Sequence, residues 1–149
     1  MAELADARLV LEPGAIERAM RHPDDLLSEL EASFRNHERA ATELLMPEHQ
    51  ETHQYLRKYF ETDWSFHEVI LQNCGNRYIA QAVDALSFRV HRMRQTIGIG
   101  ATDAPIAVAE HRAILEAVRH RDSDEAIKQM RIHLANLEVR VATNDSSSE

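Results

Sequence analysis

Four side chains of metal-binding types in this 149-residue sequence are spaced so that they fall on inward helix faces. Asp63 and His67 lie four residues apart and extend an apolar stripe rather than opposing it. His111 and His133 fall on the apolar faces of two later helical segments. An unpaired ion in a protein interior costs on the order of several kcal/mol, so a buried carboxylate needs a compensating partner. A divalent cation would supply one.

The set of one carboxylate and three imidazoles matches the ligand preferences of borderline metals such as zinc and nickel. The i, i+4 spacing of Asp63 and His67 turns both side chains to one side of their helix. A single histidine on an apolar face is more often a hydrogen-bonded core residue than a ligand, and we interpret His37 in that way. The set of four is different because four inward groups of suitable chemistry coincide.

Two arginines also border apolar stripes, Arg8 in the first helical segment and Arg89 in the fourth. One interpretation is structural: their aliphatic stems pack on the core while the guanidinium groups reach solvent. The other is functional, because a guanidinium binds a carboxylate through two parallel hydrogen bonds and a nearby metal takes a further oxygen.

The elements that must position these groups are helices. Apolar residues recur at helical spacing in every segment between the few prolines and glycines, and no useful stretch alternates with period two. We predict an all-α fold, a single antiparallel bundle of about six helices over residues 1–142 with a metal site in its core, and a disordered tail over 143–149. The predicted helices span roughly 4–21, 24–45, 50–73, 76–97, 104–119 and 124–141, with a perturbation at Pro13.

Composition limits the classes of partner and compartment. The single cysteine, Cys74, excludes an intramolecular disulfide, and the sequence shows neither a secretory signal nor an apolar run of membrane-spanning length. We therefore expect a cytoplasmic protein without a membrane partner. The net charge of −8 argues against nucleic-acid binding by these residues, because phosphate binding needs a basic face.

Four short motifs, in order, resemble those of one family. Residues 8–13 (RLVLEP) resemble its R-x-x-L-E-P helix, and residues 63–67 (DWSFH) resemble its D-x-x-F-H element. Residues 110–114 (EHRAI) and 130–134 (MRIHL) resemble its E-H-x-x-I and M-x-x-H-L elements. The family is the FCD domain, the ligand-binding C-terminal domain of FadR-subfamily GntR transcription regulators.

The resemblance implies function. In metal-binding members the matching positions hold the ion, which carries over to Asp63, His67, His111 and His133. Such domains sense small organic acids and commonly form homodimers. The first-helix arginine often faces the effector, which carries over to Arg8, and Arg89 is a looser match. Full regulators also have a winged helix domain, which no segment of these residues resembles, so we expect DNA contact only through such a domain outside this chain.

The leading hypothesis is therefore a metal-dependent organic-acid sensing domain of a transcription regulator, and not an enzyme. The alternative is a small metalloenzyme that uses an open coordination position for water or substrate. The sequence offers it no clear general base, since Glu68 and Glu110 adjoin ligand histidines in sequence and point about 100° away from them around a helix. A third possibility is a structural bundle with hydrogen-bonded core histidines.

Overall fold

The protein is all-helical in the computed structural model, which describes residues 2–49, 53–97 and 103–145. Six helices follow one another: α1 (Ala2–Ala19), α2 (Pro23–Leu44), α3 (His53–Asn73), α4 (Arg77–Ile97), α5 (Ala104–Arg119) and α6 (Ser123–Asp145). The described residues contain no strand. The predicted fold class is therefore confirmed. Each predicted helix has a counterpart whose described ends differ by at most a few residues, and residues 50–52, predicted as the start of the third helix, lie outside the described residues.

Local sequence explains where several helices begin and end. Gly75 has a φ of 63°, the left-handed conformation expected just after α3. The Asn76 side chain then accepts hydrogen bonds from the backbone N–H groups of Tyr78 and Ile79, at 3.0 and 3.2 Å, and so caps α4. In the same way Asp122 accepts a hydrogen bond from the Glu125 N–H at the start of α6.

Two local features differ from expectation. Helix α1 continues through Pro13 without a break, although a proline removes one helical hydrogen bond and its ring crowds the preceding turn. Helix α6 extends to Asp145, three residues into the segment predicted as a tail, because no glycine or proline stops it there. Residues 146–149 lie outside the described residues.

Five of the helices form a closed ring in which each packs against the next, in the order α1, α6, α5, α2, α3 and back to α1. Helix α4 packs against α1, α3 and α6. A ring of this kind turns one face of each of its five helices toward a common interior. Side chains from all five can therefore meet at one place, although they are far apart in sequence.

The interior is a mainly apolar core, to which Phe34, Trp64 and Phe66 contribute aromatic side chains. Phe34 and Phe66 meet edge to face with ring centroids 6.4 Å apart, a favourable arrangement for aromatic pairs. Among the described helices, none is long and apolar enough to cross a membrane.

Candidate metal centre

Three fully desolvated imidazoles converge at the centre of the ring. They belong to His67 on α3, His111 on α5 and His133 on α6, and each residue is at most 1% exposed. The Nε2 atom of His111 lies 3.3 Å from that of His67 and 3.2 Å from that of His133, and the third separation is 3.3 Å. We call these three residues the imidazole cluster.

The spacing of the imidazole cluster fits a shared metal ion. Nitrogen ligands about 2.0–2.1 Å from a zinc ion at tetrahedral angles lie about 3.3–3.4 Å apart, which is close to the separations found here. Imidazole lone pairs that converge in a dry interior are unfavourable unless a hydrogen or a cation lies between them. The donor chemistry and the spacing therefore both agree with a divalent transition metal.

Asp63 lies beside the imidazole cluster, one helical turn before His67 on α3. It is 1% exposed, and its Oδ1 atom is 3.9 Å from Nε2 of His111. Its possible ligand atom lies close to those of His111 and His37, whereas His67, His111 and His133 form the tighter group. The structure thus brings together all four residues predicted from the sequence as metal ligands.

Glu12 of α1 orients one of the imidazoles. Its Oε2 atom lies 2.7 Å from Nδ1 of His67, so Nδ1 carries the hydrogen and donates it to the carboxylate. The Nε2 lone pair of His67 is then directed at the cluster. The other oxygen of Glu12 accepts a hydrogen bond from Nε of Arg8, and both partners are buried. A carboxylate behind a ligand histidine is the usual outer partner in protein metal sites.

Glu110 plays the same part for a second imidazole. Its Oε2 atom lies 2.7 Å from Nδ1 of His133, and its Oε1 atom accepts a hydrogen bond of 2.8 Å from the Asn136 amide. Glu110 therefore reaches across from α5 to α6 and directs Nε2 of His133 inward. In this position its carboxylate is the hydrogen-bond partner of the His133 imidazole.

Electrostatics favours the metal-binding form of the cluster. Burial lowers the pKa of His133 to about 4, although the hydrogen bond that His133 donates to Glu110 acts in the opposite direction. Burial, with the neighbouring His133, also holds the pKa of His111 well below its usual range. Both imidazoles are thus neutral at physiological pH, the form in which histidine binds metals.

The carboxyl group of Glu12 stays ionised for a different reason. Burial by itself would raise the pKa of Glu12, but the charges and hydrogen bonds of Arg8 and His67 hold it well below its usual range. The site therefore contains a permanent buried ion pair next to the imidazole cluster.

Aromatic side chains hold the imidazole rings in place. Phe66 stacks on His111 with ring centroids 4.3 Å apart, and Trp64 stacks on His67 at 6.0 Å. Because these rings are buried, the imidazoles cannot rotate away without disturbing the core.

The two predicted effector arginines occupy different environments. Arg8 is only 2% exposed, its guanidinium carbon lies 5.6 Å from the ring centroid of Trp64, and neither of its Nη atoms has a hydrogen-bond partner among the described residues. Arg89 is an exposed residue of α4, the helix outside the five-helix ring. Its role in effector binding stays a prediction.

Sequence reasoning gave three residues no part in this site: Glu12, Glu110, which it judged to point away from the ligands, and His37, which it interpreted as a core histidine. Glu12 was visible as the residue four after Arg8 on an inward face, and Glu110 as the neighbour of His111. His37 continues the apolar stripe of α2 at helical spacing, which indicates burial but not what it faces. Their partners lie on other helices, so only the packing reveals them.

The defining sequence pattern of the FCD domain matches residues 3–136, a range that includes every residue of the site. No curated protein and no solved structure matches the chain. The FCD domain is the C-terminal effector-binding domain of GntR transcription regulators. The match spans most of the chain and agrees with the all-helical fold, and we conclude that the chain belongs to the FCD domain family.

Proposed function

We propose that this chain senses a small organic acid with the help of one divalent transition-metal ion, of the zinc or nickel type, held by Asp63, His67, His111 and His133. The observation that carries the proposal is the convergence of three buried Nε2 atoms at 3.2–3.3 Å. Two of these imidazoles are backed by buried or half-buried carboxylates, an arrangement that fixes the direction of their lone pairs.

The effector class follows from Arg8. Its Nε donates a hydrogen bond to Glu12, while its two Nη atoms remain as donors in a nearly dry environment. A carboxylate suits such a pair of donors, because its two oxygens match the planar guanidinium. A metal ion with an open position would supply a Lewis acid for a second oxygen of the same molecule. A short acid with two oxygen-bearing ends therefore fits the site.

The primary test is metal removal. We expect the purified, untagged protein to hold about one divalent ion per chain and to melt at a lower temperature after treatment with EDTA. Binding to the folded state alone adds about 2.7 kcal/mol of stability at a hundredfold excess over Kd. Elemental analysis and melting curves, with zinc added back after removal of the chelator, measure both effects. Protein without metal that shows no shift on remetallation would contradict the proposal.

A second prediction concerns the acid. Lactate, citrate or gluconate should raise the melting temperature of the metal-loaded protein, and this shift should shrink in Arg8→Lys, which keeps the charge but loses the planar pair of donors. Arg112→Lys is the matched control, because Arg112 is exposed and pairs with Glu38 on the surface. Each shift is measured against the same variant without acid. Equal shifts in the wild type and in Arg8→Lys would argue against the clamp.

A third prediction concerns partners. We expect these 149 residues alone to show no sequence-specific DNA affinity at physiological salt, since their net charge is −8 and phosphate binding depends on basic residues. We also expect a homodimer in solution. Fluorescence anisotropy with genomic fragments and light scattering test the two statements separately. Tight, sequence-selective binding by this chain would overturn the assignment of DNA contact to another domain.

A further inference from the structure

A fourth buried imidazole, that of His37 on α2, lies next to the site. His37 is 0% exposed, and its ring centroid lies 4.9 Å from that of His111. Its Nε2 atom is 3.9 Å from Oδ1 of Asp63. The same oxygen is also 3.9 Å from Nε2 of His111, so Asp63 stands between the two histidines.

The hydrogen bonds of Thr62 indicate the tautomer of His37, and therefore whether the Nε2 atom that faces Asp63 has a lone pair. The Thr62 hydroxyl donates its only hydrogen to a backbone carbonyl, that of Lys58 at 3.0 Å or of Tyr59 at 2.9 Å. At its 3.5 Å contact with Nδ1 of His37 it therefore acts as the acceptor, and Nδ1 carries the hydrogen. The Nε2 lone pair of His37 then faces a carboxylate oxygen, and a cation between these two atoms would bind both.

We propose that His37, Asp63 and His111 form a second cation position beside the imidazole cluster, and that one ion of the zinc class can occupy either position. This inference rests on the proposed function, since both positions share Asp63 and His111. Two imidazoles and one carboxylate are a donor set that proteins use for zinc. The Nε2 atom of His111 has one lone pair, so the two positions are alternatives and not a pair filled together. The imidazole cluster is the tighter of the two, because its ligands are already at mutual ligand distance.

The experiment weakens the tighter position by removing one of its ligands and then asks whether His37 is needed for the binding that remains. Cobalt(II) serves as the probe, because its visible absorption reports the ligands. His133→Ala should weaken cobalt binding but leave a measurable second mode. Adding His37→Leu to that variant should weaken the remaining mode by about 10-fold or more and change its spectrum, whereas His133→Ala/His53→Ala should not, since His53 is an exposed residue at the start of α3.

Two outcomes would overturn the inference. One is a His133→Ala spectrum and affinity that are unaffected by His37→Leu. The other is an equal loss of affinity from His37→Leu in the wild-type and His133→Ala backgrounds, which would make His37 a positioning residue for Asp63. Failure of the proposed function looks different, because the wild type itself would then bind no metal.

A second measurement avoids substitution of His37, in case the double variant does not fold. In ¹⁵N-histidine-labelled His133→Ala protein, zinc should shift the Nε2 resonance of His37 strongly and leave that of His53 in place. An unchanged His37 resonance at saturating zinc would overturn the inference.

Discussion

Replacing His133 or Asp63 with alanine should lower the affinity for a zinc-class ion by more than about 100-fold, while His53→Ala and His120→Ala leave it nearly unchanged. Mutation of a residue that hydrogen-bonds to a metal ligand typically lowers metal affinity about 10–100-fold. Loss of the ligand itself removes a coordination bond, so its effect should be larger. His53 and His120 are exposed residues at helix ends, far from the ring interior. Competitive titration with a chromophoric chelator measures the four affinities on one scale.

The comparison depends on folded variants, so circular dichroism spectra and melting curves of the metal-free proteins accompany the titration. His133→Ala and Asp63→Ala should keep the helical content of the wild type without metal. Equal loss of metal in all four variants would contradict the assignment of ligands and indicate general unfolding instead.

Removal of Glu12 should have the largest effect on stability. Glu12→Ala leaves the buried Arg8 cation without its carboxylate, and breaking one side of a buried ion pair costs on the order of 3–5 kcal/mol. The variant also deprives Nδ1 of His67 of its acceptor. We therefore expect a loss of that size in the unfolding free energy. Urea unfolding in the presence of EDTA measures it without a contribution from the metal.

The matched control for this prediction is Glu61→Ala. Glu61 also pairs with an arginine four residues away, Arg57, but both side chains are about two thirds exposed. Exposed pairs are screened by water and salt and contribute little. If Glu12→Ala lowers the unfolding free energy no more than Glu61→Ala does, the buried ion pair does not stabilise the folded protein as predicted.

Much of this architecture follows from the amino-acid sequence alone. Apolar positions at helical spacing identify six helices, and α5 begins and ends where the pattern places it. The same periodicity gives the inward direction of Asp63, His67, His111 and His133, because a helix of 3.6 residues per turn fixes the direction of each side chain around its own axis. Their residue types, one carboxylate and three imidazoles, then indicate a metal-binding site.

Only the tertiary structure decided which groups stand behind the four predicted ligands. Glu12 orients His67 from α1, Glu110 orients His133 from across the contact between α5 and α6, and His37 faces Asp63 from α2. Periodicity describes one helix at a time, whereas these distances depend on how far apart the helices pack and how they are rotated against each other. For the same reason the two arginines, which have similar positions on apolar stripes in the sequence, lie in different places. Arg8 lies inside the ring, whereas Arg89 lies on the protein surface.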